Sequence, residues 1–346
     1  MESSAKVLDQ TVEPTTYLPF LNKIICGDSY ELIKQIPSGT IDLVITSPPY
    51  FRQRDYGSQL GTEDALEKYI AALLEIFREC VRVIKPTGSI VFNLGNKYDE
   101  SSLLLVPYRF AIAAEKFKVK LVNEITWVKA NPTPRQFKRR LVSGTEPFFH
   151  FVKSEKYKYF LDEFLRRDDT KTNGSSGENL GKKYFELIEK SDLSDEQKNL
   201  ARLRLTEIIA EVRRGEIQGF LMKIRGIHSE PFGGQDGGRK IQLEKNGFTI
   251  IRIHGNPLKK DVIQTPVESL KDCPHPAIYP VSIVEEFLNL LTEEGDVVLD
   301  PFIGSGSTAV AALKKGRPFI GFDINPDYCD YARERISKAQ QQQKLF

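Results

Sequence analysis

The sequence predicts an α/β protein: a doubly wound, mostly parallel, Rossmann-like sheet of seven strands, carrying an inserted second domain. Three observations predict it. Short β-rich runs alternate with stretches of helical spacing at both ends of the chain. The C-terminal part holds only two strands, too few for an α/β domain, so both ends of the chain must share one sheet. A glycine turn, Gly304-Ser-Gly306, joins a strand to a helix, as ligand-binding sheets of this kind require.

The elements follow in order. "KIIC" (23–26) is a strand and "SYELIKQI" after it a helix. "IDLVIT" (41–46) is apolar enough for a central parallel strand. Residues 63–84 place apolar side chains at helical spacing until Pro86 and Gly88 stop them. "SIVFNLG" (89–95) reads as a strand, 103–117 as a helix, and 121–128 and 147–152 as two further strands. Regular alternation then ends. Residues 170–183 and the glycine-rich 229–240 read as loops. Ser194 and Gln197 form a capping box that opens a helix, and 247–255 is strand-like. Residues 156–270 are therefore expected to be the insertion, flanked by 1–155 and 271–346. The last part has a helix at 282–291, a strand at 296–300, a helix at 307–315 and a strand at 318–323. The tail "AQQQQKLF" reads as frayed.

Composition narrows the function. With 40% hydrophobic and 28% charged residues the chain reads as soluble and globular. No secretory signal or membrane span is expected, so the expected location is cytoplasmic. The four cysteines and four histidines are scattered, with no metal-ligand spacing. Net charge is only +2, but "KANPTPRQFKRR" (129–140) contains no acid, and residues 223–260 carry eight Lys/Arg against three Asp/Glu. Either run alone reads as solvated surface; together they tilt toward a polyanion contact.

Two motifs carry chemistry. In "LDPFIGSGSTA" (299–309) the glycines let the backbone turn tightly and approach a ligand, and the helix start attracts anionic groups. Asp323 ends the next strand, 19 residues after Gly304, where a carboxylate can accept bonds from a ribose diol. The spacing G-x-G-x-x-A also suits a nicotinamide dinucleotide. Only one βαβ unit follows it, which fits better a cofactor with an adenosine and an amino-acid carboxylate, such as S-adenosylmethionine. In "TSPPY" (46–50), Pro48 and Pro49 hold the backbone of Ser47 and Pro48 extended. The Ser47 hydroxyl and the Pro48 carbonyl can then accept both hydrogens of an exocyclic amino group, while Tyr50 stacks on a flat ring. Such bonds favour a pyramidal nitrogen with a localised lone pair, which can attack a sulfonium methyl directly.

Together these residues resemble the DNA amino-methyltransferase family. "TSPPY" resembles its catalytic motif, "DPFIGSG" (300–306) its cofactor loop, and "GFDINPDY" (321–328) the acidic motif after it. Residues 26–50 resemble the lead into catalysis, "HPAIYP" (275–280) the segment beside the methionine moiety, and "EITWVKANPTP" (124–134) and "EPFFHFVK" (146–153) the motifs flanking the target base. The catalytic motif precedes the cofactor loop, with a recognition insertion between. In this family that order, a circular permutation of the fold, marks the β group. The resemblance implies S-adenosylmethionine as cofactor and double-stranded DNA as partner, in a prokaryotic, nucleoid-associated protein; a cognate restriction enzyme is a partner it allows. It implies a catalytic set of Ser47, Pro48, Pro49 and Tyr50. The cofactor set would be Asp28, Thr46, His275, Asp300, Phe302, Gly304, Gly306, Ser307 and Asp323. Arg52, Arg54, Arg135, Lys138, Arg139 and Arg239 are candidate DNA contacts. Serine at the first motif position goes with cytosine-N4 methylation in this family, aspartate with adenine-N6; adenine stays the alternative. Glutamine side-chain methylation, an oxidoreductase and an inactive DNA-binding module are the further alternatives. Trp127 reads as a packing residue before a stacking one.

Overall fold

The computed structural model describes residues 18–54, 60–132, 139–160, 181–217, 219–228, 238–253, 260–268, 270, 273–275 and 277–343. The chain divides into two compact units, Met1–Phe164 with Lys260–Phe346, and Leu165–Lys259.

The first unit contains strands β1 (Lys23–Cys26), β2 (Ile41–Thr46) and β3 (Ile84–Asn93), with helices α1 (Ser29–Ile33) and α2 (Leu66–Val83) between them. A two-stranded ribbon of β4 (Tyr98–Asp99) and β5 (Ser102–Leu103) leads to α3 (Val106–Ala114), β6 (Lys120–Lys129) and β7 (Thr145–Val152). The second unit contains α4 (Lys182–Lys190), α5 (Asp195–Arg213), β8 (Gly219–Ile224), α6 (Gly238–Asn246) and β9 (Phe248–Ile253). The chain returns to the first unit with β10 (Val262–Thr265), α7 (Val281–Leu291), β11 (Val298–Asp300), α8 (Ser307–Lys314), β12 (Phe319–Asp323) and α9 (Pro326–Gln343).

The main sheet has eight strands in the order β1-β12-β11-β2-β3-β7-β6-β10. Only β7 runs antiparallel to its neighbours. Helices cover both faces, so central strands read as continuous apolar runs; all six residues of β2 are buried. Along it Val44 packs with α1, α2 and α3, whereas Leu43 and Ile45 pack with α7, α8 and α9. Asp42 is the polar exception. It is 2% exposed and tolerated because it is paired: Lys85 Nζ lies 2.7 Å away and the Val297 amide donates to it over 3.0 Å.

The sequence reading needs three corrections. The sheet has an eighth strand, β10, which lay inside the expected insertion 156–270. Four residues are too short for a period of two to show, and pairing with β6 alone defines them. Pro86 and Gly88 do not sit between a helix and a later strand. They lie within β3, where a Cβ on Gly88 would fall 2.6 Å from the Asp42 carbonyl. Parts of the segments read as loops are helical: α4 begins at Lys182 and α6 at Gly238.

In the second unit β8 and β9 pair antiparallel and pack with α4 and α5 around Ile188, Leu205, Met222 and Phe248. The capping box is present: Ser194 Oγ accepts from Gln197 N, and Gln197 Oε1 accepts from Ser194 N, both over 3.2 Å.

Candidate active site

The carboxyl ends of β1, β12, β11, β2 and β3 lie along one edge of the sheet, where such folds bind ligands. The antiparallel β7 begins there with Thr145 and Glu146.

Asp300 ends β11 and is fully buried. Its Oδ1 accepts from Thr46 Oγ1 over 2.6 Å and from the Phe302 amide over 3.0 Å. Its Oδ2 accepts from Thr308 Oγ1 over 2.6 Å and from Tyr279 over 3.0 Å. Burial pushes its carboxyl up, and these bonds pull it back. Thr46 and Asp300, both expected at the cofactor, therefore bind each other. They brace the turn instead of lining the cavity.

The turn itself follows from glycine. Gly304 has φ +49° and Gly306 φ +84°, conformations other residues rarely adopt. A Cβ on Gly304 would fall 2.8 Å from His275 Nε2; one on Gly306 would fall 3.0 Å from the Ala332 methyl. Gly304 thus admits close approach of the backbone at the site, while Gly306 lets α9 pack on the turn. Ser307 is buried and accepts from Arg335 Nη1 over 3.1 Å, so it too supports the turn.

Asp323 ends β12. Its Oδ2 accepts from the Gly304 amide over 2.9 Å, and its Oδ1 from the Asn325 amide over 3.0 Å. Burial pushes its carboxyl up to about 6, with those amides opposing the shift. His275 stands edge-on to Tyr328, ring centroids 4.7 Å apart, and accepts from the Ala277 amide at Nδ1. Burial pushes it down to about 4, so near neutral pH it is an uncharged ring. Asp28 caps α1, accepting from the Tyr30 and Glu31 amides over 2.8 and 3.2 Å.

Asp28, His275, Phe302 and Asp323 line one cavity of about 690 Å³, which Ser47 and Pro49 also line. That volume is within the range of small-molecule sites. A smaller space of about 30 Å³ lies between Ser47, Tyr50, Gly304 and Ser305. The two motifs singled out in the sequence thus meet at one cavity.

Sequence reasoning missed the groups behind them. Ser47 Oγ lies 3.1 Å from both the Tyr50 hydroxyl and Asn93 Oδ1. The Tyr50 hydroxyl lies 2.6 Å from Asn93 Oδ1 and 3.0 Å from Glu146 Oε2. Asn93 Nδ2 donates to the Pro147 carbonyl over 3.0 Å, and Lys129 Nζ pairs with Glu146 Oε1. Gly95 sits against the tyrosine ring: a Cβ there would fall 2.4 Å from two of its carbons. The signals in the sequence were a polar residue at the end of one apolar strand (Asn93) and at the start of another (Glu146), the latter opening the "EPFFHFVK" segment. The Pro49 carbonyl accepts from Tyr69, so the motif is tied to α2 as well.

Of the six expected DNA contacts, Arg52, Arg54 and Arg139 have described side chains. Arg52, at φ +46°, donates from Nε to the Glu63 carbonyl and accepts Lys97 at its own carbonyl, so it shapes its loop. Arg54 and Arg139 are exposed. Arg135 and Lys138 lie outside the described residues, and Arg239 lies in the first turn of α6 with its side chain outside them. Trp127 is 3% exposed and donates to the Thr265 carbonyl, a packing role. Among the described residues no helix is long and apolar enough to cross a membrane, and no cluster of three His, Cys, Asp or Glu could hold a metal ion.

Residues of the glycine turn and of the Ser-Pro-Pro-Tyr segment thus open into one cavity at the carboxyl edge of a doubly wound sheet. The chain belongs to the N6_N4_Mtase family of DNA methylases, whose family model matches residues 41–334. It is 28% identical over 320 residues to Type II methyltransferase M.BglII of Bacillus subtilis, covering 92% of this chain and 69% of that protein. It is 24% identical over 341 residues to Type II methyltransferase M.Cfr9I of Citrobacter freundii, covering 90% and 86%. Among solved structures, PvuII DNA methyltransferase (cytosine-N4-specific) superposes with a TM-score of 0.56 at 18% identity, over 92% of this chain and 91% of that one. TTHA0409 of Thermus thermophilus, solved with S-adenosyl-L-methionine, gives 0.52 at 20% identity, over 92% and 93%. These two likenesses show the fold.

Proposed function

We propose that the protein transfers a methyl group from S-adenosylmethionine to the N4 amine of cytosine in double-stranded DNA. The observation that carries this is the shared cavity, in which Asp323 and Phe302 face the same space as Ser47 and Pro49.

The residues fit the cofactor. Asp323 would accept from the ribose diol, held in place by the Gly304 amide; Phe302 would pack on the adenine; His275 and Asp28 would border the remainder. When bound, the cofactor supplies an electrophilic methyl on a sulfonium sulfur. The chain's own residues do the rest. Ser47 and the Pro48 carbonyl accept the two amine hydrogens, so the nitrogen lone pair is localised toward the methyl. Tyr50 stacks on the base, which must leave the helix at a cost of a few kcal/mol. Catalysis is then positioning and electrostatics, with no covalent intermediate.

Serine at position 47 favours cytosine, because a hydroxyl both donates and accepts while cytosine offers an acceptor ring nitrogen beside its amine. The cytosine-N4 specificity stated for the PvuII enzyme agrees. Adenine N6 is the second reading, left open by a family whose name spans both. The motif order, TSPPY before DPFIGSG, supports the β group, and the Leu165–Lys259 unit is proposed to read the target sequence.

The test is to incubate the protein with S-adenosylmethionine and genomic DNA, digest to nucleosides and analyse by mass spectrometry. N4-methylcytosine is expected. N6-methyladenine would overturn the base while keeping the chemistry, and no methylated nucleoside would overturn the function.

A further inference from the structure

We propose that Glu146 is the terminal acceptor of a proton path that drains the methylated amine through Ser47 and Tyr50. This rests on the functional reading above, because it is the amine nitrogen that must lose a proton once it carries a fourth bond.

The path is continuous. From Ser47 Oγ it is 3.1 Å to the Tyr50 hydroxyl, and from there 3.0 Å to Glu146 Oε2. Both steps are hydrogen-bond distances; the two hydroxyls can each give one proton and take another, and the Glu146 carboxylate accepts. Asn93 borders both hydroxyls at 3.1 and 2.6 Å, but its amide oxygen is a poor resting place for a proton. Its bond to the Pro147 carbonyl keeps Oδ1 turned toward the hydroxyls. Two hydroxyl hydrogens thus serve four contacts. In one arrangement Ser47 donates to Asn93 and Tyr50 to Glu146; in the other Ser47 donates to Tyr50. The second arrangement, with Tyr50 still donating to Glu146, is the one through which a proton arriving at Ser47 passes outward.

Glu146 is the one member of the chain that can keep it. Lys129 takes the other carboxylate oxygen, Oε1, which leaves Oε2 turned to Tyr50. The Glu146 and Lys129 side chains are 15% and 19% exposed, so water can reach the far end of the path. Asn93, at its middle, is 1% exposed.

The step balances. The nitrogen–methyl bond forms as the sulfur–methyl bond breaks, neutralising the sulfonium. The amine proton then passes to Ser47 Oγ, the Ser47 proton to the Tyr50 oxygen, and the Tyr50 proton to Glu146 Oε2. The N–H electron pair stays on nitrogen, and Glu146 ends as the neutral acid until it releases the proton to water.

The test measures single-turnover methyl transfer to DNA that the wild type methylates, with binding of cofactor and DNA measured separately. Glu146→Gln keeps the shape and cannot hold the proton. It is expected to slow transfer about 10²-fold, the scale of general-base catalysis, with both affinities unchanged. Glu146→Ala is expected to regain rate with added acetate and not with chloride, and the wild-type solvent deuterium isotope effect should vanish in Glu146→Gln. A purely structural role would move neither readout. If Glu146→Gln does not fold, Tyr50→Phe interrupts the path while leaving the Lys129 pair intact, and must show the same loss of rate and isotope effect. Wild-type rate in the folded variant, lost cofactor binding, or indifference to acetate overturns the proposal. A wild type that methylates no DNA overturns the functional reading itself, and this path with it.

Discussion

Thr46 donates its hydroxyl hydrogen to Asp300 across 2.6 Å, although 254 residues separate them in the chain. The bond joins the end of β2, from which the Ser-Pro-Pro-Tyr segment departs, to the end of β11, from which the glycine turn departs. It locks the two halves of the site in register. Thr46→Val would leave the buried carboxylate one donor short and is expected to cost about 1–3 kcal/mol. Denaturant unfolding measures the cost; unchanged stability would remove Thr46 from the brace.

Gly304 and Gly306 should respond differently to the same small change. Gly304→Ala puts a methyl against the His275 ring beside the cavity. Cofactor affinity is expected to fall about tenfold or more, equal to about 1.4 kcal/mol. Gly306→Ala presses on Ala332 in α9 and is expected chiefly to lower the melting temperature. Calorimetric titration and thermal melting of both variants separate the two effects. Equal effects of both substitutions would contradict the assignment.

Asp323 should make cofactor binding pH-dependent. Its carboxyl is raised to about 6, so it is an ionised acceptor above that pH and a neutral acid below it. S-adenosylmethionine affinity is expected to weaken as pH falls through about 6, and to lose that dependence in Asp323→Asn. The unliganded protein shows the opposite sign. An acid whose folded value is raised stabilises the fold at low pH, and that stability is lost as pH rises through about 6. His275 does not titrate in this window, being neutral down to about 4.

His150 should govern acid stability. It is 2% exposed, lies 2.9 Å from Ser89 Oγ, and burial pushes it down to about 4 from 6.5. Below about 6.5 the unfolded chain binds a proton that the folded one refuses. Stability present above that pH is therefore lost as pH falls toward about 4, by about 3 kcal/mol at 1.36 kcal/mol per unit. Unfolding midpoints of wild type and His150→Gln, measured at about pH 7 and about pH 4.5, check this; the difference between the proteins should shrink in acid.

Gly95→Ala tests the tyrosine. A methyl 2.4 Å from the Tyr50 ring carbons must displace the ring. Methyl transfer is expected to slow at least tenfold while S-adenosylmethionine binding holds, because Gly95 does not line the cavity of about 690 Å³. Wild-type turnover would show that the ring's position does not matter.

The sequence by itself determined the α/β class and placed the two motifs within it. Each rests on local physics: apolar runs of strand length, glycines at positive φ, and prolines that restrict their neighbours. Ser47, Tyr50 and Asp323 were singled out for that reason, and Phe302 by resemblance. Only the tertiary structure decided what surrounds them. Asn93 and Glu146 reach Tyr50 because β3 and β7 pair side by side, at separations of 43 and 96 residues. Asp300 and Thr46 look like ligand contacts in the sequence and prove to be bound to each other, since burial and partners depend on strand order. Strand β10 exists only because β6 offers it an edge. A motif records which chemistry a segment can do, but hydrogen-bond partners brought together from distant segments are chosen by the packing of the whole sheet.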